Sequence, residues 1–537
     1  MSRSHLFITG NLRYTPRKIT LTSGDVSYFV KPYQVQSGYV HGDRVRARIT
    51  KQGDGGRMAE VEIISLVSRS RDPLIARIIS KKGKQYLKII PEQGNLEILF
   101  LSGNKKYDDN SIISVQFSTN DRVEIVGVFA HEDDVDLDER LILWLSGART
   151  EFPESVIRES DEVKQYTKKT NLKNRVDFRN WYTLTIDGSD AKDLDDAISI
   201  KKEENGNYIL AVHIADVAEY VTENSQLDRE ALLRATSIYT PGKVIPMLPE
   251  VLSNDLCSLH PGTPKLSLSA VMTIDPRGNV RHTEIVEGII ESRHRGVYDD
   301  IYRRHSEAIG EKTELDDILD IAFALYYILE KRRRKEGKIT FESTEIYFDF
   351  GTTHENDDKN GEKQAKTPKH IKKRERNDAH KLIEEFMVLA NEEVAKWCQR
   401  HGLPFLSRVH GLPGNEQTEI IQAILRSSKS PIFEDSTRGE LILTKPKGTP
   451  VLEPTHIREF LENIKDPTEL YRYSRLLLPK MAKATYSDTP FRHFGLALEY
   501  YSHFTSPIRR YPDLQVHRII KEQIRGILTP VRVAHYK

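Results

Sequence analysis

The chain has 537 residues, more than one hydrophobic core accommodates, so several compact units are expected. Its 80 basic and 79 acidic residues nearly cancel, which excludes a nucleic-acid footprint spread over the whole surface and confines any such footprint to local patches. Hydrophobic residues make up 38% of the chain, no apolar run approaches ~18 residues, and no secretory-type apolar segment opens it, so neither a membrane span nor a signal peptide is expected. Its two cysteines, Cys257 and Cys398, lie far apart and fit packing roles in a reducing compartment.

Within residues 1–70 short strand-like runs (Leu6–Ile8, Ile19–Leu21, Ser27–Val30, Val45–Ile49, Val61–Leu66) alternate with Gly, Pro and Asn, the pattern of a small β-barrel. That segment carries eleven Lys or Arg against five Asp or Glu, with Tyr14, Tyr28, Phe29, Tyr33 and Tyr39 interspersed. Such aromatics either stack bases beside a phosphate-tracking basic surface or fill the barrel core. Residues 71–150 repeat the style, with runs Leu74–Ile79, Gln85–Ile90, Leu96–Leu101, Ile112–Phe117 and Asp121–Phe129, and predict a second barrel. The acidic run His131–Glu139 reads as a linker or the start of a helix.

From about residue 150 the texture becomes mixed α/β. The stretch 185–200, TIDGSDAKDLDDAISI, carries Asp187, Asp193, Asp195 and Asp196 within an apolar frame of Ile186, Leu194, Ile198 and Ile200, which predicts two short buried strands joined by an acidic turn. Two like charges about 4 Å apart repel by roughly 4 kcal/mol at an effective dielectric of ~20, so four carboxylates in one small volume require cations. Oxygen ligands without a nearby His or Cys point to Mg2+ or Mn2+. The plainer alternative is an exposed acidic loop, which the tight aliphatic framing disfavours. A calcium-binding EF-hand loop matches the spacing of Asp193, Asp195 and Glu204 but is excluded by Ile198, where that loop requires Gly. Hard cations on carboxylates polarise phosphoryl oxygens and generate hydroxide, and a pair of them about 4 Å apart clamps attacking and leaving oxygens, which is phosphodiester chemistry.

Glu204-Asn205-Gly206-Asn207 then turns the chain into Tyr208–Val217 as a hairpin. Residues 238–262 hold Pro241, Pro246, Pro249 and Pro261, a density that excludes a long helix or central strand and predicts a rigid path. Residues 313–335 form the clearest helix, opened by Thr313 and Asp316 in a capping-box pattern and ended by Gly337. Its basic run Lys331–Lys335 either complements the helix dipole or meets nucleic acid. The polar segment His354–Lys373 reads as a loop. A second strong helix begins in 374–391, with Leu382, Phe386, Leu389, Ala390 and Trp397 on one stripe, and Thr455–Met481 is helical by period. In YSHFTSPIRRYPDLQVHR, residues 501–518, Ser506-Pro507 reads as a capping hydroxyl followed by proline at the first helical position. Arg509 and Arg510 are then expected in the first turn, where the helix dipole favours phosphates.

The stretch 185–200, LSRVHGLP at 406–413 and YSHFTSPIRRYPDLQVHR resemble, in the same order, the RNB family of ribonuclease II and ribonuclease R exoribonucleases, over most of residues 180–525. The resemblance implies a multidomain protein: N-terminal small β-barrels of OB or cold-shock type at 1–70 and 71–150, then a mixed α/β RNB catalytic domain at 151–537. It implies a cytoplasmic, hydrolytic 3′-to-5′ exoribonuclease that degrades single-stranded RNA processively to nucleoside 5′-monophosphates by a two-metal mechanism, with Mg2+ (or Mn2+) and no small-molecule cofactor or membrane partner. Asp187, Asp193, Asp195 and Asp196 are then the metal ligands, Asp195 also helps activate water, and Arg509 stabilises the transition state. Tyr239, Tyr298, Phe341, Glu384 and Arg510 are the RNA contacts, Tyr239 and Phe341 packing on bases and Glu384 meeting the terminal sugar. LSRVHGLP is expected to be structural. Family members continue into a further OB-type RNA-binding domain, whereas this chain ends at Lys537 soon after Ile527-Leu528-Thr529-Pro530, so it is either a fragment or a form lacking that domain.

Two other readings stand beside the exoribonuclease. An RNA-binding regulator built on an inactive copy of the fold would be marked by loss of the acidic cluster, yet all four aspartates and Arg509 are present. A deoxyribonuclease would share the metal chemistry and separates from the first reading only on matched RNA and DNA oligomers.

Overall fold

The computed structural model describes residues 7–14, 18–24, 26–31, 39–53, 58–70, 72–90, 97–99, 107–117, 123–134, 136–166, 174–241, 243–307, 311–342, 345–349, 370–374, 376–427 and 452–537. They fall into two compact units, one within residues 1–150 and the other within 151–349 and 370–537.

In the first unit β1 (Phe7–Tyr14), β2 (Ile19–Ser23), β3 (Val26–Val30), β4 (Arg44–Lys51) and β5 (Glu60–Ser68) close into a barrel in the order β1-β2-β3-β5-β4. Period-two alternation sends Leu12 and Tyr14 inward beside Leu21, Val30, Val45, Ala47 and Val61, while Asn11 and Arg13 face out. Tyr14 is therefore core, its hydroxyl donating to the Tyr39 carbonyl at 3.0 Å, and Tyr28 and Tyr39 pack partly against the same cluster. Phe29 is half-buried, and Tyr33 lies outside the described residues. A second five-stranded set follows: β6 (Leu74–Lys81), β7 (Lys84–Ile90), β8 (Glu97–Leu99), β9 (Ser111–Phe117) and β10 (Val123–His131). Its order is β10-β9-β6-β7-β8, an open sheet among the described residues. Helix α1 (Leu137–Ser146) starts within the acidic run and packs Leu137, Leu141 and Trp144 against Ile75, Ile112 and Ala130.

The second unit is built on a six-stranded sheet: β11 (Val176–Asp177), β12 (Thr183–Asp187), β13 (Asp196–Lys202), β14 (Tyr208–Ala215), β17 (Pro264–Ile274) and β18 (Val280–Val297), in the order β11-β18-β12-β13-β14-β17. Between β14 and β17 the proline-rich segment forms a short hairpin, β15 (Ile238–Thr240) with β16 (Lys243–Ile245), and a helical turn at Val251–Leu256. The 18-residue β18 pairs twice: Val280–Glu291 runs antiparallel to β17, and Ser292–Val297 runs parallel to β12. The handover carries a register shift, Thr183 facing Ser292 and Leu184 facing His294, so Arg293 is bulged out.

One face of this sheet is covered by α5 (Glu314–Glu336) and α6 (Asp378–Arg400), which follow α2 (Glu154–Tyr166), α3 (Gln226–Arg234) and α4 (Tyr298–Glu307) in the chain. Helix α5 starts on the expected capping box, the Thr313 N–H donating to Asp316 Oδ2 at 2.7 Å, and stops at Gly337, whose φ of 107° a side chain would disfavour. Its apolar stripe, with Leu319, Phe323 and Tyr326, joins Leu382, Phe386 and Leu389 of α6 and the sheet residues Leu210, Ile214 and Met272 in one core.

Two expectations are corrected. The last long helix runs Tyr511–Ile524 with Pro512 in its first turn, so Ser506-Pro507 opens a tight turn instead, and Arg509 and Arg510 precede the helix. An isolated bridge between Thr236 and Arg510 keeps Arg510 extended at φ −137°, ψ 121°, which delays the helix start. Residues His370–Arg374, expected in a loop, form a strand paired with Glu345–Asp349, and the rest of that loop, 354–369, lies outside the described residues.

The Tyr511–Ile524 helix is fastened to the sheet by charge. Asp216 is fully buried and receives Lys521 Nζ at 2.6 Å on both oxygens and Arg175 Nη2 at 2.7 Å, while Glu219 and Glu287 take Arg525 at 2.7 and 2.5 Å. Among the described residues these three carboxylates alone bring ligand oxygens within 4.8 Å of one another as a metal site would, yet side-chain cations already fill the space. Burial works to raise the Asp216 pKa, but Lys521 and Arg175 outweigh it and hold the carboxyl at about 2. Its stabilisation is therefore present above the unfolded value of about 3.9 and is lost as pH falls through the folded value. Asp216→Asn leaves two buried cations short of a partner and is expected to destabilise this unit by about 3–5 kcal/mol in urea unfolding at neutral pH, with the difference from wild type shrinking towards pH 2. A change under 1 kcal/mol would show that the network is dispensable.

Candidate functional site

The acidic turn grows from the pairing of β12 with β13, where Thr183 faces Ser199 and Leu184 faces Ile198. Asp187 is the last residue of β12 and Asp196 the first of β13, so the loop 188–195 must close a gap at one end of the sheet. Buried anchors fix it. Leu194 is fully buried, its N–H donates to Ser258 Oγ at 3.0 Å, and its carbonyl accepts the Leu259 N–H at 3.0 Å. Ser258 Oγ also donates to the Lys192 carbonyl at 2.7 Å. The rigid path after the prolines thus serves as the brace of the acidic loop. From the other side, Arg295 of β18 donates to the carbonyls of Ala191 at 2.6 Å and Ser189 at 3.2 Å.

Asp195 is 4% exposed. Its Oδ1 accepts the Ile508 N–H at 2.8 Å, Arg509 Nε stands 3.5 Å from its Oδ2, and its own carbonyl accepts the Ala215 N–H at 2.9 Å. Arg509 is itself held by its backbone, the carbonyl accepting the Ser237 N–H at 3.0 Å and the Thr236 hydroxyl at 3.0 Å. The same segment continues into β15, from which the Tyr239 hydroxyl donates to Asp193 Oδ2 at 2.9 Å while the ring remains 53% exposed. Arg510 donates to Asp513 at 2.6 Å, and Asp513 also accepts the Ser506 N–H at 2.8 Å.

Electrostatics mark this as an unfinished cluster. Burial lifts Asp187 above the ordinary carboxylate range, and Asp196 and Asp193 lift it further against the pull of Arg295 and Arg509. Burial also raises Asp195, opposed by Arg509 and the Ile508 N–H, and raises Asp196, opposed by Arg509 and Arg510. Burial and then Asp193 push the Tyr239 phenol up, so it stays a donor. Asp187 Oδ2 and Asp195 Oδ2 are buried without a hydrogen-bond partner, a costly condition that a bound cation would relieve. Hard oxygen donors with two orphaned atoms fit a divalent ion such as Mg2+.

The aspartates, Tyr239, Arg509 and Arg510 are thus brought to one place. Tyr298 opens α4 directly after Val297, the register partner of Asp187, and so stands at the same end of the sheet, its ring stacked on His380 of α6 with centroids 4.0 Å apart and planes at 16°. Glu384 lies one helical turn beyond His380 and ion-pairs with Arg376 and with Lys338, the latter at 3.6 Å. Phe341 sits apart from this group, half-buried against the cluster of Ile421, Leu425, Phe460 and Leu477. Arg295 and Ser258 escaped the sequence reading, because their partners lie more than sixty residues away and no local pattern announces them.

The RNB domain profile matches residues 175–526. The chain is 39% identical over 413 residues to Ribonuclease R 1 of Lactococcus lactis, covering 76% of this chain and 47% of that protein. It is also 39% identical over 424 residues to Ribonuclease R of Thermotoga maritima, covering 78% of this chain and 56% of the relative. The chain therefore spans about half the length of these relatives. Among solved structures it is similar to Mycoplasma genitalium RNase R in complex with ribose methylated single-stranded RNA, with a TM-score of 0.78 at 26% identity over 98% of this chain and 81% of the other.

The bracing by Arg295 is testable without any substrate. Arg295→Met keeps much of the side-chain length but removes both carbonyl contacts, so amide hydrogen exchange in residues 188–193 should rise while β12, β13 and β14 stay protected. Unchanged exchange in that loop would mean the guanidinium braces nothing.

Proposed function

Since the chain belongs to the RNB domain family, we propose that it is a hydrolytic 3′-to-5′ exoribonuclease that degrades single-stranded RNA processively to nucleoside 5′-monophosphates with Mg2+, or Mn2+ in its place. The observation that carries the reading is that Asp187 and Asp195, each with a buried oxygen lacking a hydrogen-bond partner, stand with Asp193 and Asp196 at the β12–β13 turn, which Asp195 joins directly to Arg509. Asp187, Asp193, Asp195 and Asp196 would hold the metal. Bound there, a hard divalent ion supplies an acidified water and polarisation of the phosphoryl oxygen.

The chain's own groups do the rest. Arg509 has a side chain 44% exposed, donates through Nη2 to Ser506 Oγ at 3.1 Å and keeps other donors for the charge that develops on the scissile phosphate. Asp195 lies close enough to Arg509 to orient it and would help take up the proton of the attacking water. The exposed ring of Tyr239 offers a stacking face to a base near the 3′ end while its hydroxyl holds Asp193 in place. Tyr298 and Glu384 are offered to the terminal base and sugar, and Phe341 and Arg510 to the chain behind them. No helix among the described residues is long and apolar enough to cross a membrane, and Cys257 and Cys398 are free buried thiols, which supports our assignment to the cytoplasm.

Two substitutions separate chemistry from binding. Asp195→Asn preserves shape and removes one charge, so turnover of a 5′-labelled RNA should collapse while RNA affinity survives; near-normal turnover in a folded sample rejects the assignment. Arg509→Lys keeps the charge and loses the fork, so single-turnover cleavage should fall on the order of a hundredfold with affinity little changed. The reverse outcome, weaker binding with an intact saturated rate, makes Arg509 an electrostatic handle only.

A further inference from the structure

The LSRVHGLP motif, read from sequence as structural, brings a cation to the site. Its strand Ser407–Val409 pairs with Thr485–Ser487 so that Arg408 faces Tyr486 directly, and the Arg408 guanidinium lies 4.7 Å from the centroid of the Tyr486 ring. The same strand is laced to the segment that leads into Arg509: the Arg408 N–H donates to the Tyr501 carbonyl at 2.8 Å, and Ser502 Oγ donates to the Leu406 carbonyl at 2.7 Å. His503, next in that segment, shares a 2.7 Å hydrogen bond between its Nδ1 and the Tyr486 hydroxyl. Burial first, then Arg510 and Arg408, lower the His503 pKa, so the imidazole is neutral.

Counting donors and charges gives this corner its chemistry. If the Tyr486 hydroxyl donates to His503, the imidazole Nε2 carries a proton; if His503 donates, the phenolic proton is free. Either way the neutral pair keeps one spare donor. Arg408 has no carboxylate within 4.0 Å among the described residues, and Arg510, paired with Asp513, keeps a buried Nε without a partner. Two guanidiniums and a neutral donor pair therefore lie together here, Arg510 bonded to Asp513 and within electrostatic reach of Asp195 and Asp196, and Arg408 with no such carboxylate among the described residues, a composition matched to a phosphodiester.

Resting on the exoribonuclease reading, we propose that Arg408, Tyr486, His503 and Arg510 form a receptor for one backbone phosphate of the bound RNA, separate from the scissile phosphate served by Arg509. The receptor fixes the strand behind the reacting nucleotide, so that the 3′ end presents one linkage at a time to the aspartates.

The test uses the whole chain and a set of single-stranded RNA oligomers, each with one linkage replaced by an uncharged methylphosphonate, bound in EDTA so that no cleavage occurs. Wild type should lose several-fold in affinity when the linkage in the receptor is neutralised. In Arg408→Ala that one penalty should largely vanish, penalties at other linkages should persist, and the slope of log affinity against log salt should become shallower by ~0.7. Tyr486→Phe retains the ring under Arg408 and removes only the hydroxyl, so a smaller loss of the same penalty is expected even if Arg408→Ala folds poorly. If wild type binds RNA and both variants keep every penalty, the receptor is wrong while the exoribonuclease reading stands. Absence of RNA binding by wild type would remove that reading and the receptor with it.

Discussion

The contact between Asp195 and residues 508–509 is the constraint on which the rest of the site depends. It joins positions 313 apart in sequence, and it does so with a buried carboxylate that accepts the Ile508 N–H and faces Arg509. A charge so placed is expensive unless paired, and one of its oxygens has no hydrogen-bond partner. Everything around it reduces that cost or exploits it. Ser258 and Arg295 stop the loop from swinging its carboxylates into solvent, Thr236 and Ser237 hold the backbone of Arg509 against them, and the frame of Leu194 and Ile198 keeps water out. On top of burial, Asp196 and Asp193 thereby act on Asp187 strongly enough to raise its pKa, an interaction that a cation would relieve.

Much of this was legible in the sequence because it is local. In 185–200 the alternation of aliphatic and acidic residues fixes which side chains are buried and which line the turn, and the observed strands Thr183–Asp187 and Asp196–Lys202 follow from it. Helix α5 was legible end to end, since a capping box, a 3.6-residue stripe and a terminal glycine agree. The fold class, barrel strands ahead of an α/β unit, followed from strand spacing and from the change of texture near residue 150.

What escaped is long-range. Two proline signals, Pro507 and Pro512, stand five residues apart, and only the bridge between Thr236 and Arg510 decides that the second one starts the helix. Arg295 looks like any exposed strand arginine until β18 is set beside β12, and Arg408 looks structural until Tyr486 and His503 are placed around it. Of the residues carried over from the family, those near residues 190 and 509 meet at one place because the sheet and the 506–510 turn force them to. Phe341 packs instead with helices further along the chain, where local periodicity gave no reason to expect an aromatic partner.

The bulge at Arg293 gives β18 a property of a gearbox. On one side of it the strand is locked to β17 over eleven register pairs, and on the other it carries Arg295 and Val297 alongside Thr185 and Asp187. Side chains alternate faces along a strand, so a one-residue slip anywhere in an ordinary ladder turns the whole buried set outward. Here the extra residue isolates the two halves. A one-residue change at the bulge shifts the short half alone, turning Arg295 away from the acidic loop and bringing a side chain to the place of Gly296, where a Cβ would lie 2.8 Å from Ile301 Cγ1. The aim of the arginine brace and the packing of α4 on the sheet are thus tied to one short stretch of strand, so the acidic loop cannot be re-aimed without cost to the core beside it.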